Sequence, residues 1–372
     1  MKKNIYITGM FDMHNYGDLL FPLIAQFRLS SFGYNIVSVA PTNIKTKFAD
    51  ALPPISIAEF LTLPLDISGI LIGGGYMIHT KNLNVPEVFQ EYANRGLSEN
   101  VSSELWIGAS LLSKKLNLPV LWNAPGVPFF LHRSQSQQVS EALKASKYIN
   151  VRDEGSAEIL RKNCGIEPKV VPDTALDIGR MWPKPSLLDT FKNLLNRKKI
   201  EGNNFLHIHI RNRSLSHFSY SDLAEKIEFL AKKYRLIPIL NGIGESHNDH
   251  IEARLISKYL HIQHLLLDDP TSLQEIAASI AFSNIYIGAS MHGYISAIAY
   301  GIPGVLVAKP AYKKFSGIIG HLQREDDLAE DWGQAFLISD AYLNYNKEEI
   351  KIPQKVYCSL DEHWNQIVNL LP

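Results

Sequence analysis

The segment Ser283–Pro310, SNIYIGASMHGYISAIAYGIPGVLVAKP, decides the fold class. Ile285–Ile287 reads as a buried strand, Gly288, Ala289 and Ser290 as a small-residue turn, and His292 opens a helix. A Gly-Ile-Pro turn at Gly301–Pro303 then leads into a second buried strand, Gly304–Ala308. A strand–helix–strand unit of this length is a parallel βαβ crossover. Its first turn lies at the carboxyl end of a strand and the amino end of a helix, where backbone N–H groups and the helix dipole favour an anion. A histidine at that point can reach a ligand and carry a proton near neutral pH.

The same rhythm extends outward in both directions. Upstream in this half, the strands Phe205–Ile210, Leu236–Leu240 and Gln263–Leu267 alternate with helical patterns at Ser221–Lys233, His250–Tyr259 and Ser272–Ala281. The first half repeats it, with strands at Asn4–Thr8, Ile36–Ala40, Ile67–Ile72 and Pro119–Ala124 and short apolar runs at Tyr148–Val151 and Lys169–Val171. Helical patterns there fall at Asp18–Ser31, Glu87–Ala93, Ser102–Lys115 and Gln135–Ala145. The strands are apolar without alternation, as expected where helices cover both faces of a parallel sheet. The fold class is therefore α/β, with two Rossmann-like doubly wound domains facing each other across a cleft. Residues 1–178 form the first domain and 205–350 the second. The stretch Gly179–Asn204, with two prolines, a basic cluster and a Gly-Asn-Asn exit, is expected to link them. Residues 351–372 include a final helix over Ser359–Leu371 that is expected to cross back onto the first domain.

Composition narrows the function classes. The chain has 372 residues, 46% hydrophobic and 20% charged, ordinary for a globular enzyme of two domains. Lys plus Arg equal Asp plus Glu at 37 each, so no basic field argues for nucleic acid. The two cysteines, Cys164 and Cys358, have no metal-ligand spacing, and a reducing compartment is expected. The first residues lack a signal-peptide apolar core, and no run of eighteen apolar residues occurs. A cytoplasmic protein is expected, working in solution or peripherally at the inner membrane face on a lipid-borne substrate.

Ligands of doubly wound sheets bind outside the carboxyl ends of the strands. Several motifs fall there. Gly9–Asp18, GMFDMHNYGD, follows the first strand and opens the first helix, but lacks the glycine spacing of a dinucleotide fingerprint. Asn15, Gly17 and Asp18 either face the cleft or simply cap the helix. Gly73, Gly74 and Gly75 end the strand Ile67–Ile72, and three successive glycines favour a loop approached by a ligand. Tyr76 and His79 beyond them are as readily packing residues. The pair Arg152 and Asp153 in NVRDEGS reads as structural, and Asp173 in PDTA caps a turn or faces the cleft. His207 and His209 share one face of their strand and are expected to be buried and hydrogen-bonded. Arg211 and Arg213 emerge beyond that strand, where a guanidinium suits a carboxylate or phosphate. One of Lys313 and Lys314 is expected to help neutralise an anion. No Ser-His-Asp elbow, Walker loop or HExxH motif is present.

Taken in order, GMFDMHNYGD, ILIGGG, NVRDEGSAEILRKNCG, VPDTALD and GASMHGYISAIAYGIPGVLV resemble the polysaccharide pyruvyl transferase family. The resemblance covers most of the chain and implies a GT-B-like pair of domains. It also implies transfer of the enolpyruvyl unit of phosphoenolpyruvate onto a sugar diol of a cell-surface polysaccharide or its lipid-linked precursor. His292 matches the family histidine thought to meet the donor. Many members carry arginine two residues earlier; here that position is Ser290, followed by Met291, and Arg211 or Arg213 is the matching arginine that remains. The implied scheme has His292 as general acid or phosphate stabiliser, and Asp12, Asn15 and Asp18 on the acceptor side, with a base among them. Gly17, Gly73, Gly74, Gly75, Ser290, Met291, Arg211, Arg213 and Lys313 would bind substrate. Phosphoenolpyruvate enters as donor substrate, and no metal or cofactor is required, since cationic side chains can neutralise it. Two other readings compete: a GT-B glycosyltransferase using a nucleotide sugar, and a non-catalytic glycan-binding member. The acceptor sugar, the ring positions of the ketal and the oligomeric state are not legible.

Overall fold

The computed structural model describes residues 3–62, 66–80, 103–131, 136–242, 247–311, 313–345 and 350–372. The helix expected over Glu87–Ala93 lies outside the described residues.

Among the described residues, two six-stranded sheets carry the fold, and every strand pairing in them is parallel. The first contains β1 (Lys3–Thr8), β2 (Tyr34–Ala40), β3 (Ile55–Ser56), β4 (Ile67–Ile72), β5 (Val120–Trp122) and β6 (Ser146–Tyr148), in the order β3-β2-β1-β4-β5-β6. A small separate ladder pairs β7 (Asn150–Val151) with β8 (Lys169–Val170). The second sheet contains β9 (Phe205–His209), β10 (Ile237–Asn241), β11 (Leu265–Leu267), β12 (Ile285–Gly288), β13 (Gly304–Val307) and β14 (Leu328–Ala329), in the order β11-β10-β9-β12-β13-β14. Both domains thus wind identically. The winding direction reverses between β1 and β4 and between β9 and β12, and such switch points open a crevice at the strands' carboxyl ends.

Strand periodicity assigns the faces. Ile5 and Ile7 point into one buried cluster while Tyr6 points into another. In β9, Leu206 and Ile208 enter a third cluster, while Phe205 lies on the opposite face and His207 stacks on Tyr286, at 5.5 Å between ring centroids. The largest cluster is shared by both domains, running from Leu20, Phe21 and Ile24 through Ile276 and Ile280 to Tyr294 and Ile298. A common apolar core holds the cleft walls in one relative position, because burying that surface is favourable only while the domains stay docked.

Polar ties reinforce this. The Asp50 carboxylate of the first domain accepts from the N–H groups of Leu273 (2.7 Å) and Gln274 (2.9 Å), at the start of the second domain's helix Leu273–Ala281. The Tyr16 hydroxyl meets Ser296 Oγ at 2.9 Å. The terminal helix, Gln354–Leu370, does cross back: Trp364 Nε1 donates to Asp177 Oδ2 (3.1 Å), and His363 Nε2 meets Asn123 Oδ1 at 3.2 Å.

Two stretches gain detail. The connecting stretch Gly179–Asn204 contains the helix Leu188–Lys198, whose Phe191 stacks on Phe282 (5.0 Å) and meets Phe205 edge-on (5.3 Å). The short apolar run Tyr148–Val151 serves two ladders. It divides into β6, which joins the main sheet, and β7, which leaves it, with Asn150 bridging Trp122 O and Ala124 N of the neighbouring loop. Among the described residues, no helix is long and apolar enough to cross a membrane.

Candidate active site

The crevice is built from the ends of four strands. After β1 the chain turns through Gly9–His14 into the helix Tyr16–Leu29, whose N-cap is Asn15. Asn15 Oδ1 accepts from Gly17 N (3.2 Å) and its Nδ2 donates to Asp18 Oδ2 (2.7 Å), so one side chain both caps the helix and fixes the Asp18 carboxylate. After β12, Ser290 caps the helix Met291–Ala299, its Oγ accepting from Gly293 N at 3.3 Å. His292, on the first turn of that helix, spans the cleft and packs edge-on against Phe21 of the other domain, at 5.6 Å between centroids. After β7 and β8 come Arg152 and Asp173, brought together by the parallel register of those strands: Arg152 Nη1 donates to Asp173 Oδ2 at 3.2 Å.

These groups form one cluster. His292 Nε2 stands 3.7 Å from Asp173 Oδ2, beyond hydrogen-bond distance, and has no hydrogen-bond partner. Its side chain is 14% exposed, whereas those of Arg152 and Asp173 are 4% and 2% exposed. The two carboxylates are driven apart. Burial raises the Asp18 carboxyl above its ordinary range, and the charges of His292, Arg152 and Lys314 offset this only in part. Burial would raise Asp173 too, but His292 and Arg152 outweigh it and bring it down to about 2. Divergent environments of this kind mark acid–base pairs.

Cations line the crevice around them. Lys314, from the helix Lys313–Leu322, is pushed down to about 7, first by burial and then by the neighbouring Arg152 and Arg211 charges. Arg211 donates to Asp249 through Nε and Nη2, both at 3.3 Å, and Asp249 also pairs with His209 Nε2 at 2.9 Å. Burial would raise Asp249, but His209 and Arg211 hold it down at about 2. His247 is pushed down to about 3, by burial and then by Arg211. Among the described residues, no group of three His, Cys, Asp or Glu side chains is placed to hold a metal ion.

The sequence expectations sort against this geometry. Asn15, Gly17, Asp18, Arg211 and His292 come together, with Arg213 exposed nearby on the turn Asn212–Ser214 and close enough to act on the charge of Lys314. Ser290 holds the helix start. Asp12 is engaged elsewhere, its Oδ2 accepting from Thr42 N (3.0 Å) and Thr42 Oγ1 (2.6 Å). Met291 is buried in the shared apolar cluster, as its side chain demands. The three glycines meet the protein itself: a β-carbon on Gly73 would lie 2.4 Å from Thr8 O, one on Gly74 2.3 Å from the Phe21 ring, and one on Gly75 2.9 Å from Asp18 Oδ1. Lys313 is exposed beside Gly155, and Lys314 is the lysine that enters the cluster. Arg152, read from sequence as structural, lies at its centre. His207, as expected, is a packing residue, hydrogen-bonded to Asn241 Nδ2 (2.8 Å) and held down to about 3 by burial.

Two parallel α/β domains of identical winding, docked across a charged crevice, place the chain in the GT-B-like class. Solved structures agree on that fold. UDP-GlcNAc 2-epimerase from Neisseria meningitidis bound to UDP-GlcNAc superposes with a TM-score of 0.60 at 11% identity, covering 98% of this chain and 99% of that one. The Methanocaldococcus jannaschii UDP-GlcNAc 2-epimerase in complex with UDP-GlcNAc and UDP gives 0.56 at 10% identity, covering 99% and 98%. A glycosyltransferase from Rickettsia africae gives 0.52 at 12%, covering 99% and 96%. No curated protein matches the chain. The family model for polysaccharide pyruvyl transferase matches residues 15–308, and the chain belongs to that family.

Proposed function

We propose that this protein transfers the pyruvyl unit of phosphoenolpyruvate onto two hydroxyls of a sugar in a polysaccharide or its lipid-linked precursor, forming a cyclic ketal and releasing phosphate. Family membership supports the reaction class. The observation that carries the donor is the crevice itself: Arg152, Arg211 and Lys314 surround two carboxylates that their surroundings shift in opposite directions, Asp18 up and Asp173 down, beside His292.

The chemistry needs those parts. A proton goes to the methylene carbon of phosphoenolpyruvate, leaving an oxocarbenium-like centre at the carbon that bears the phosphate. One sugar hydroxyl adds there and gives up its proton. Phosphate then departs, and the second hydroxyl closes the ring, losing its own proton. Asp18, biased toward its protonated form, supplies the proton to carbon. His292, with ionised Asp173 beside it, takes the hydroxyl proton. The guanidinium groups and Lys314 hold the carboxylate and stabilise the departing phosphate. A soluble or a membrane-bound acceptor fits this scheme equally.

One finding favours a rival: structures of the same fold bind UDP-GlcNAc. A thermal-shift titration with phosphoenolpyruvate beside UDP, GDP and CMP, repeated on His292→Ala and Arg211→Ala, separates the two. Stabilisation by phosphoenolpyruvate that the variants lose supports pyruvyl transfer. Stabilisation by a nucleotide alone moves the protein to nucleotide-sugar chemistry.

A further inference from the structure

Tyr76 stands between the two halves of the crevice with a cation from each domain on its ring. Arg152 of the first domain lies 4.6 Å from the ring centroid, and Lys314 Nζ of the second lies 5.3 Å from it. The two cations feel each other, since Arg152 is the largest charge acting on Lys314. An aromatic face draws cations by its quadrupole and can hold them without neutralising their charge.

The ring is fixed in place. Gly75 turns the chain through φ +81°, a left-handed conformation that presents Tyr76 to the crevice. Gly126 N donates to Gly75 O (2.7 Å), Ile78 N to Gly126 O (3.2 Å) and Arg152 N to Pro125 O (3.3 Å), which ties the Tyr76 and Arg152 loops together. A β-carbon on Gly126 would lie 2.7 Å from Tyr76 Cδ1 and 2.9 Å from Arg152 Nε, so only bare backbone fits against the stacked pair. Arg152 Nε makes no hydrogen bond, and the Asp153 Oδ2 carboxylate oxygen stands 3.8 Å from it, an ion pair beyond hydrogen-bond distance. A buried guanidinium left with an unused donor is poised for an anion.

We propose that Tyr76 is a positioning residue for the donor: its ring sets the spacing of Arg152 and Lys314 so that the carboxylate and phosphate of one phosphoenolpyruvate bridge the two domains. This rests on the pyruvyl-transfer reading above. A ligand with a single anionic group engages one cation and gains little from the spacing; a ligand with two engages both.

Calorimetric titration of the full chain with phosphoenolpyruvate and, separately, with inorganic phosphate tests it on wild type, Tyr76→Phe and Tyr76→Leu. Loss of the ring face should weaken phosphoenolpyruvate binding about tenfold, and phosphate binding by no more than about threefold. Tyr76→Phe, which keeps the ring, should stay within about threefold of wild type for both. If Tyr76→Leu does not fold, Tyr76→Met fills similar space with a flexible chain and takes its place. Equal affinity of wild type and the ring-less variant for phosphoenolpyruvate, or equal losses for both ligands, overturns this inference and leaves the donor assignment standing. Failure of the wild type to bind phosphoenolpyruvate overturns the donor assignment and this inference with it.

Discussion

His292 occupies the space where a side chain on Gly17 would begin: a β-carbon there would lie 1.8 Å from His292 Nδ1. The start of the first domain's leading helix and the start of a second-domain helix therefore touch in the crevice. Neither wall holds the site alone.

Gly17→Ala should consequently act on His292 rather than on the helix, for which alanine is the better residue. The clash displaces the imidazole at a cost of about 1–3 kcal/mol in stability. Donor binding or turnover should fall as far as it does in His292→Ala. Chemical denaturation beside a donor titration checks this; wild-type behaviour of Gly17→Ala would mean that the histidine is not held where the structure places it.

Lys314 gives a pH dependence. Its ammonium, held down to about 7 from the ordinary 10.5, loses its charge as pH rises through 7. Between pH 7 and 8.5 donor affinity should fall by about tenfold, and Lys314→Met should flatten that slope. Unfolding does not explain such a loss. A lysine depressed on folding binds fewer protons folded than unfolded between pH 7 and 10.5, so its contribution to stability rises with pH in that window.

The two carboxylates should respond oppositely to amide substitution. Asp18 is raised on folding, so its ionisation costs stability above its unfolded value, and Asp18→Asn should raise Tm at pH 7 while abolishing turnover. Asp173 is depressed to about 2, so it contributes stability above about pH 3.8 that is lost as pH falls through 2. Asp173→Asn should destabilise at pH 7 by about 2–3 kcal/mol, since it leaves buried Arg152 with only the longer 3.8 Å ion pair to Asp153. Thermal melts of both variants at pH 7 and 3 give the answer; the same sign for both would contradict the assignment.

Asp249 anchors Arg211 from within the second domain, so the two substitutions should separate anchoring from binding. Arg211→Lys cannot reproduce the forked contact and should weaken donor binding at nearly unchanged Tm. Asp249→Asn should lower both, with a stability loss of roughly 3 kcal/mol from the unpaired His209 and Arg211. Melts and donor titrations on the two proteins decide it.

Much of this was readable from the chain. The crossover at Ser283–Pro310 and the apolar, unalternating strands fixed parallel sheets, and the carboxyl-end rule then put His292, Arg211 and Asp18 in one crevice before any coordinates. What escaped depended on register. In Tyr148–Val151 a single polar residue, Asn150, stands where β7 begins, too slight a signal in sequence to show that the chain leaves the main sheet there, yet that break delivers Arg152 to Asp173. Lys313 and Lys314 are adjacent in sequence but about 100° apart on a helix, and no residue between them and the preceding strand sets the phase. The glycines at Gly73–Gly75 are legible as a close approach, and the protein groups that a β-carbon there would meet are Thr8, Phe21 and Asp18, which sequence alone does not name. Prolines at Gly179–Asn204 mark the connection between the two halves, and Leu187, Phe191 and Leu194 carry the spacing of the buried helical face within it, which the sequence reading does not use.

The most direct test of the central claim is a crystal structure of the protein soaked with phosphoenolpyruvate. The account predicts one donor molecule between the domains, its carboxylate and phosphate on Arg152, Arg211 and Lys314, with its methylene carbon within reach of Asp18 and the carbon bearing the phosphate facing His292. A donor bound outside this crevice, or a crevice that takes UDP-GlcNAc and refuses phosphoenolpyruvate, would contradict it.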